Sequence, residues 1–376
     1  MRASAPLSSY ARLLTRALVG AGRHTFGLPS LRLISYGPCQ TPTLWFLVCR
    51  RREIEAHVPE RYWDLTASAA AEPGGEPAAL RWARNPCFDG PLARRAERRL
   101  VAADRLRVVA VDRSRVSFPP PVGLCTVAML KLASTALGLS PRRAMEVAED
   151  LYTSGFISYP RTESTRYPAG FDVAGSLAGH ETDPAHGPIV QWLLLKSQFG
   201  GLQLPRSGVD AGDHPPISPT RAAPRGALRG GPARGLYTAV VRHFIATLLP
   251  AATAEQSCLA AEASDERFEL RWHRVIERGW LHALPHRTEG LGLVEGIPLS
   301  FDAVKQGDEL PLVASELVDA WTQPPTELTE AQLIEAMDRN GIGTDASMAT
   351  HVSTICERGY ACVVDADGHL LGDEGS

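Results

Sequence analysis

A tyrosine, an arginine and a glutamate occur at alternate positions near the middle of the chain, at Tyr159, Arg161 and Glu163. Pro160 follows the tyrosine, and a residue that precedes proline is pushed into extended backbone. In extended chain, side chains two positions apart share a face, so these three are expected in one row. A phenol is a poor nucleophile at neutral pH, and a neighbouring cation lowers its pKa and holds a phosphate. The spacing therefore predicts a tyrosine nucleophile assisted by Arg161. A strand end with a surface arginine and glutamate is the alternative interpretation.

A histidine stands between an aspartate and a proline further along the chain, at His214. An adjacent carboxylate can orient or charge an imidazole, so Asp213 is expected to act on His214. Taken alone, this His-Pro-Pro turn is more typical of a loop than of a functional site.

Two helices and a strand are predicted to position the tyrosine. Apolar spacing predicts helices at Thr126–Leu137 and 141–151, separated by Gly138. Ser140 is placed as an N-cap before a proline at the first helical position. A strand is predicted at 156–159. Helix, short turn, helix and strand together are typical of a winged-helix unit.

Elsewhere the pattern alternates between strands and helices. Residues 43–52 predict a buried helix capped by a Thr-Pro pair, and short alternating runs predict antiparallel strands between residues 61 and 112. A mobile Gly- and Pro-rich loop is predicted at 219–235. Further strands are predicted at 267–272 and 309–312, and further helices at 327–340 and 349–358.

The composition is that of an ordinary globular protein, with 44% hydrophobic and 22% charged residues and a formal net charge of -3. This charge does not indicate a nucleic-acid binder, but phosphate binding needs only a local basic stripe. Arg50, Arg51 and Arg52 are the preferred candidates for phosphate contacts, while the arginines from Arg81 to Arg115 are interpreted as a solvated face of strands.

The 7 cysteines form no CxxC pair, which argues against zinc fingers and a disulfide framework and predicts a reduced, intracellular protein. The chain has no long apolar run, so no membrane span is expected. Its first acidic residue is Glu53, and the Arg- and Ser-rich opening resembles a mitochondrial transit peptide. An ordinary amphipathic helix at 10–18 is the preferred interpretation.

Four segments together resemble the type IA DNA topoisomerases, in particular the topoisomerase III branch and its beta type. Residues 155–164 resemble the segment that carries the nucleophilic tyrosine, and residues 211–217 the segment that brings a histidine to the phosphate. Residues 34–44, and residues 328–330 with 340–347, resemble two segments that bind the DNA strand. The four follow in the family's order and cover the chain from about residue 10 to 362.

The resemblance implies that Tyr159 attacks a backbone phosphate of single-stranded DNA and forms a 5′-phosphotyrosine. Arg161 would assist, and His214 would contact the scissile phosphate or aid proton transfer. Uncharged donors and acceptors can follow a sugar–phosphate backbone, and glycines at 341 and 343 let backbone amides approach a phosphate. The implied DNA-binding residues are Gln40, Thr41, Thr43, Glu163, Thr344, Asp345 and Ser347.

The implied fold class is a mixed α/β, multidomain, toroidal topoisomerase core. Residues 1–60 and 322–376 would form a strand-binding body, and residues 61–122 and 218–321 a β-rich arch. Residues 123–217 would form a winged-helix-like catalytic tyrosine domain.

The resemblance also implies Mg²⁺, held by the acidic cluster of a Toprim domain, and no ATP. Residue 1 falls after the place where that domain would end, so its metal ligands are expected to be missing from this chain. A fragment, a splice form or an incomplete gene model is expected on that ground. Asp365 and Asp367 imitate the domain's acidic pair, but they lie at the wrong end of the chain, beside an Asp-Gly turn signal.

The implied partner is single-stranded DNA, with RNA as the alternative substrate of the beta branch and a Toprim-bearing or recruiting chain as a second partner. A nuclear location is implied, with mitochondrial or cytoplasmic locations as alternatives. Two other functions are weighed: a single-strand-binding chain without a complete catalytic cycle, and a tyrosine recombinase or type IB enzyme. The last would attach to the 3′ end and would not share the four segments.

Overall fold

A computed structural model describes residues 36–365 and His369, except residues 185, 199–203, 205–206, 225, 229, 292, 294–296 and 346. The chain divides into two compact units. The first takes its described residues from Met1–Glu55, Val122–Phe244 and Pro325–Ser376, and the second comprises Ala56–Pro121 and Ile245–Pro324. The expected mixed α/β fold class is confirmed, while the predicted three-domain boundaries stay a prediction.

The second unit is built around a closed antiparallel barrel of six strands. The strands are β1 (Arg61–Ala70), β2 (Pro77–Trp82), β3 (Arg105–Phe118), β4 (Ala252–Ala263), β5 (Glu266–Glu277) and β6 (Glu309–Trp321). Their order around the barrel is β1-β2-β5-β4-β3-β6. Strand β1 pairs with β6 along most of its length, and β3 pairs with β4 from Arg107 opposite Glu262 to Phe118 opposite Ala252. The predicted strands at 267–272 and 309–312 lie within β5 and at the start of β6.

The core of this unit comes from side chains that alternate along the strands. Leu65 and Ala67 of β1 are fully buried, and so are Leu80 of β2 and Phe268 of β5. Because side chains in a strand point alternately to the two faces of the sheet, the closed barrel places one set inside. Glu266 is also buried, and the indole Nε1–H of Trp82 donates to its carboxylate at 3.0 Å.

One prediction in this unit is wrong. The charge-rich region that was interpreted as strand contains helix α2 (Gly90–Ala103). Asp89 caps the helix by accepting from the Leu92 backbone at 3.0 Å, and Ala93, Ala96 and Leu100 form its buried face. Its four arginines at 94, 95, 98 and 99 are exposed, so this charged face belongs to a helix, and its interpretation as a merely solvated face stays a prediction.

The first unit is mainly helical, and the helices predicted around the tyrosine segment are confirmed. The helices are α1 (Gln40–Ala56), α3 (Thr126–Leu137), α4 (Pro141–Thr153), α5 (Val173–Leu177), α6 (Gly187–Gln198), α7 (Gly231–Leu248, with its last residues from Ile245 in the second unit), α9 (Glu330–Arg339) and α10 (Met348–Glu357). Gly138 ends α3 with φ 63°, and the Ser140 hydroxyl accepts from the Arg143 backbone at 3.3 Å as the predicted N-cap of α4.

The second unit also holds short helical turns at Gly279–His282, Arg287–Gly290 (α8) and Leu299–Ala303. The predicted loop at 219–235 is wrong at its C-terminal end, because α7 begins at Gly231. No helix in the described ranges has the length and apolar character that a membrane crossing requires.

Truncation of Phe268 should destabilise the barrel. Its side chain is fully buried, and replacing such a side chain with alanine costs about 3–5 kcal/mol. We expect Phe268→Ala to lower the melting temperature measured by circular dichroism. The matched control is Phe88→Ala, since Phe88 is 53% exposed and should unfold like the wild type. Equal melting temperatures for Phe268→Ala and wild type would contradict the packing described for the barrel.

Candidate active site around Tyr159

Two chain segments lie side by side and bring Tyr159 next to His214. The Ser158 backbone donates to the Ser218 carbonyl at 2.9 Å, and the Ser218 backbone donates to the Ser158 hydroxyl at 3.0 Å. The predicted strand at 156–159 is wrong, since only Ile157 forms a β-bridge, with Pro219. Proline has no backbone N–H to donate, so the prolines of the partner segment cannot extend a ladder of hydrogen bonds.

The Tyr159 phenol packs against the His214 imidazole. Their ring centroids are 4.6 Å apart with an interplanar angle of 66°, an edge-on arrangement. Tyr159 is half-buried and His214 is exposed. The prediction that these two residues belong to one site therefore has a direct contact in the structure.

Arg161 lies close enough to Tyr159 to interact with it electrostatically, and it pairs with a residue that sequence reasoning missed. Its Nε donates to Oε1 of Glu149 on α4 at 3.0 Å, and its Nη2 contacts the same oxygen. The pKa of Arg161 is raised, first by this hydrogen bond and further by the negative charges of Glu149 and Asp345, which together outweigh the effect of partial burial. Arg161 therefore stays a cation beside the phenol.

Helix α4 also contacts Tyr159 itself. The ring of Tyr152 meets the ring of Tyr159 with centroids 5.2 Å apart and an interplanar angle of 69°. Glu149 and Tyr152 are three positions apart on this helix, so they lie on one face. Their spacing in the sequence shows only that they share a helix face, and no sequence signal places that face against the tyrosine segment.

The backbone after Tyr159 is held by Thr126, the first residue of α3. The Thr126 hydroxyl donates to the Pro160 carbonyl at 2.7 Å and accepts from the Thr162 backbone at 2.8 Å. In return the Thr126 backbone donates to the Thr162 carbonyl at 3.0 Å. Thr126 and Thr162 are fully buried, and the first amides of a helix need partners from outside the helix. This exchange fixes residues 160–162 to the start of α3.

Asp213 binds residues 162–164 of the tyrosine segment. The expectation was instead that Asp213 acts on the His214 imidazole. Its carboxylate accepts from the Glu163 backbone at 2.7 Å and from the Ser164 hydroxyl, and lies 3.2 Å from the Thr162 hydroxyl. These hydrogen bonds, rather than one to the imidazole, are what the described residues show for the carboxylate. The physical reason is proximity, because both chain segments are anchored to each other here: the Thr162 hydroxyl also lies 2.5 Å from the His214 carbonyl.

The pKa of Asp213 is lowered by this arrangement. Burial by itself raises the pKa, but the hydrogen bonds from Ser164, Glu163 and Thr162 together outweigh it. Glu163 itself is exposed, and its described contact is made by its backbone. The predicted row of three side chains thus reduces to Tyr159 and Arg161, with Glu163 tied in through Asp213.

The first predicted strand-binding residues lie at the start of α1. Gln40 accepts from the Arg358 guanidinium at 2.9 Å, and the Thr41 hydroxyl accepts from the Gly37 backbone at 3.2 Å. Thr43 is fully buried and donates back to the Cys39 carbonyl at 2.8 Å, which does not favour contact with DNA. The helix also begins three residues earlier than predicted, at Gln40. Contact of these residues with a strand stays a prediction.

The second predicted strand-binding segment forms a tight turn before α10. The Thr344 backbone donates to the Ser347 hydroxyl at 2.9 Å, and the Ser347 backbone donates to the Thr344 carbonyl at 3.0 Å. Gly341 and Gly343 have φ values of 62° and 82°, a left-handed backbone that glycine adopts without strain. Asp345 is half-buried and acts electrostatically on Arg161, so this turn lies on the Tyr159 side of the unit.

The three arginines of α1 have partners within the protein. The Arg50 Nη1 donates to the Thr326 carbonyl at 2.6 Å, Arg51 pairs with Glu55 at 2.8 Å, and the Arg52 guanidinium lies 5.3 Å from the Trp45 ring centroid. Their predicted phosphate contacts stay a prediction.

The described residues do not fit a Mg²⁺ site. They contain no group of three or more His, Cys, Asp or Glu side chains placed to hold a metal ion. Close to Tyr159, the carboxylates of Glu149 and Asp213 are engaged with Arg161 and with residues 162–164. Asp365 accepts from the His369 backbone at 2.8 Å, while Asp367 and the turn predicted there lie outside the described residues.

Known proteins that this chain resembles are described as DNA topoisomerases. A family profile described as DNA topoisomerase matches residues 13–368. DNA topoisomerase 3-beta-1 of Mus musculus is 40% identical over 331 residues, covering 88% of this chain and 37% of the mouse protein. DNA topoisomerase 3-beta of Arabidopsis thaliana is also 40% identical, over 332 residues that cover 88% of this chain and 37% of the plant protein. The chain thus spans well under half the length of these relatives.

The fold has a counterpart among solved structures. Full-length topoisomerase I from Thermotoga maritima matches with a TM-score of 0.68 at 22% sequence identity, covering 96% of this chain and 56% of the other. At this identity the match is one of fold alone.

Removal of the Asp213 charge should destabilise the tyrosine segment in a pH-dependent way. The pKa of Asp213 is lower in the folded state than its unfolded value of about 3.9. The stability that the Asp213 charge contributes is therefore fully present above about pH 4 and is lost as the pH falls through the folded-state pKa. We expect Asp213→Asn to lower the melting temperature at pH 7, because the Glu163 backbone and the Ser164 hydroxyl lose a charged hydrogen-bond acceptor. The measurement is thermal unfolding at a series of pH values.

The difference from wild type should shrink below pH 4, where the wild-type carboxylate becomes protonated. The control is Asp338→Asn on the exposed surface of α9, which should follow the wild type throughout. A difference that stays constant from pH 7 down to pH 3 would contradict a role for the Asp213 charge.

Proposed function

We propose that this chain, which belongs to the topoisomerase III branch of the type IA DNA topoisomerases, cleaves single-stranded DNA through Tyr159. The family predicted from four sequence segments is confirmed, since the family profile covers most of the chain. The single observation that supports the proposed chemistry is the contact of the Tyr159 ring with His214, beside the guanidinium of Arg161.

The reaction would be a transesterification. The Tyr159 oxygen forms a bond to phosphorus, the bond from phosphorus to the 3′ oxygen breaks, and that oxygen leaves as a hydroxyl. The phenol loses one proton and the leaving oxygen gains one. A 5′-phosphotyrosine keeps the energy of the phosphodiester, so the reverse attack reseals the strand without ATP.

Each neighbour of Tyr159 has a chemical task in this proposal. Arg161 is a permanent cation, so it neutralises charge on the phosphate that Tyr159 attacks. His214 is exposed and touches the phenol ring, so it can contact the phosphate or carry a proton between the phenol and the leaving oxygen. The half-buried position of Tyr159 leaves room for a strand to approach.

The rest of the catalytic cycle belongs to the same proposal. Strand passage, resealing and a requirement for Mg²⁺ are expected from the family, with RNA as an alternative substrate and a nuclear location. A chain that only binds single strands is the competing function, and the experiment below separates the two.

Loss of the Tyr159 hydroxyl should abolish the covalent product. The chain is incubated with end-labelled single-stranded DNA, with and without Mg²⁺, and denatured before electrophoresis. We expect a covalent adduct for the wild type and none for Tyr159→Phe, which keeps the ring and its packing. Tyr152→Phe is the matched control, since this variant removes the hydroxyl of a neighbouring tyrosine and should still form the adduct.

Mapping the linked end completes this test. A 5′ linkage agrees with the proposal, and a 3′ linkage would exclude it. Binding of the strand by the wild type with no adduct under either condition would favour the strand-binding module.

Truncation of His214 should slow adduct formation without preventing strand binding. Positioned proton transfer contributes about a hundredfold or more to such reactions, so we expect His214→Ala to lower the single-turnover rate by about this factor. The control is His273→Ala in the barrel, where the half-buried imidazole should leave the rate unchanged. A wild-type rate for His214→Ala would remove His214 from the proposed chemistry.

A further inference from the structure

One face of α4 contacts both members of the Tyr159–Arg161 pair. Glu149 pairs with Arg161, and three positions later Tyr152 meets Tyr159 edge-on. Since residues three apart on a helix are neighbours, the two contacts are made by adjacent side chains. The helix is anchored by buried Ala144, Met145 and Leu151, among others, so this face is a rigid support.

The geometry of the ion pair fixes the direction of the guanidinium. Oε1 of Glu149 accepts from Nε at 3.0 Å and also contacts Nη2, so one edge of the planar group is held. A guanidinium presents its N–H donors in one rigid plane, so fixing one edge also fixes the direction of the others.

We propose that Glu149 is a positioning residue, which holds the Arg161 guanidinium in the orientation that serves the Tyr159 phenol and an incoming phosphate. The proposal rests on the proposed function of this site. Glu149 acts through Arg161 and does not itself touch the reacting atoms.

The contrast with a second glutamate on α4 supports this role. Glu146 pairs with Arg142 and Arg143, all on the same helix and with side chains about half exposed, which is typical of a solvated surface pair. The partner of Glu149 lies 12 residues away, in the tyrosine segment, and the Arg161 side chain is only 29% exposed. A pair that joins a rigid helix to the reactive segment restricts that segment, whereas a pair within one turn of a helix does not.

The charge of Glu149 gives the proposal a distinctive signature. A carboxylate near the phosphate repels it, so removing Glu149 should not weaken strand binding. Removing it should nevertheless slow bond formation, because Arg161 loses its fixed direction. A residue that merely stabilised the fold would lower both binding and rate.

The experiment compares Glu149→Ala and Glu149→Gln with Glu146→Ala as the matched control. The single-turnover rate of adduct formation is measured at saturating single-stranded DNA, and strand affinity is measured in the Tyr159→Phe background. We expect Glu149→Ala to be about tenfold to a hundredfold slower, the scale of losses caused by misplacing a reacting group. Glu149→Gln keeps an acceptor oxygen and should restore most of the rate.

Strand affinity should not fall in either Glu149 variant, and Glu146→Ala should match the wild type in both measurements. A wild-type rate for Glu149→Ala would overturn the proposal. So would equal losses of rate and affinity in both Glu149 variants, which would indicate a structural role.

A second measurement does not depend on catalysis. The ¹⁵N NMR signal of the Arg161 Nε–H, assigned with Arg161→Lys, should be displaced from the bulk arginine signals in the wild type and should return to them in Glu149→Ala. A bulk position in the wild type would overturn the proposal even if no adduct forms. If the wild type forms no adduct but its Arg161 signal is displaced, the proposed function is refuted and the positioning of Arg161 by Glu149 is still supported.

Discussion

The site depends on how the buried backbone of residues 160–164 finds hydrogen-bond partners outside regular secondary structure. Pro160, Thr162 and Ser164 are buried, and buried backbone groups must be paired. The partners come from the start of α3, through Thr126, and from the segment that ends in His214, through Asp213. One network of hydrogen bonds therefore holds the backbone beside Tyr159, Arg161 and His214.

This arrangement combines a loop with rigid support. Reactive groups on loops can approach a substrate closely, but they need a scaffold to keep their geometry. Here α3 fixes the backbone that follows the tyrosine, and α4 contacts the side chains of Tyr159 and Arg161. The buried Thr126 hydroxyl satisfies backbone hydrogen bonds, while Glu149 and Tyr152 on one face of α4 contact the reactive segment's side chains.

Local signals were the part of the structure that sequence predicted well. Helices α3 and α4 have the predicted boundaries at their junction, because a glycine stop, a serine cap and a proline act within a few residues. Helix α2 was missed because its buried face consists of Ala93, Ala96 and Leu100, and two small alanines give a weak apolar period among four arginines. The period alone did not separate this helix from strands.

Contacts between distant residues could not be read from spacing. The row of Tyr159, Arg161 and Glu163 was predicted from extended geometry, which gives the direction of side chains but not their partners. That Glu149 holds Arg161 depends on where α4 packs, and that Asp213 binds residues 162–164 depends on how two segments meet. The family resemblance predicted which residues are reactive, and the structure supplied the residues that contact them.

Charge balance explains why composition does not test the proposed binding of a nucleic acid. In the described residues, arginines such as Arg50, Arg51 and Arg142 are paired with exposed carboxylates. Ion pairs on a solvated surface are weak, so under the proposed function a phosphate would replace such a carboxylate at little cost. Because each pair is neutral overall, the net charge of -3 does not show how the arginines are distributed over the surface. Arg161 differs because its pair with Glu149 joins two elements and is partly covered, so there a phosphate would join the carboxylate rather than replace it.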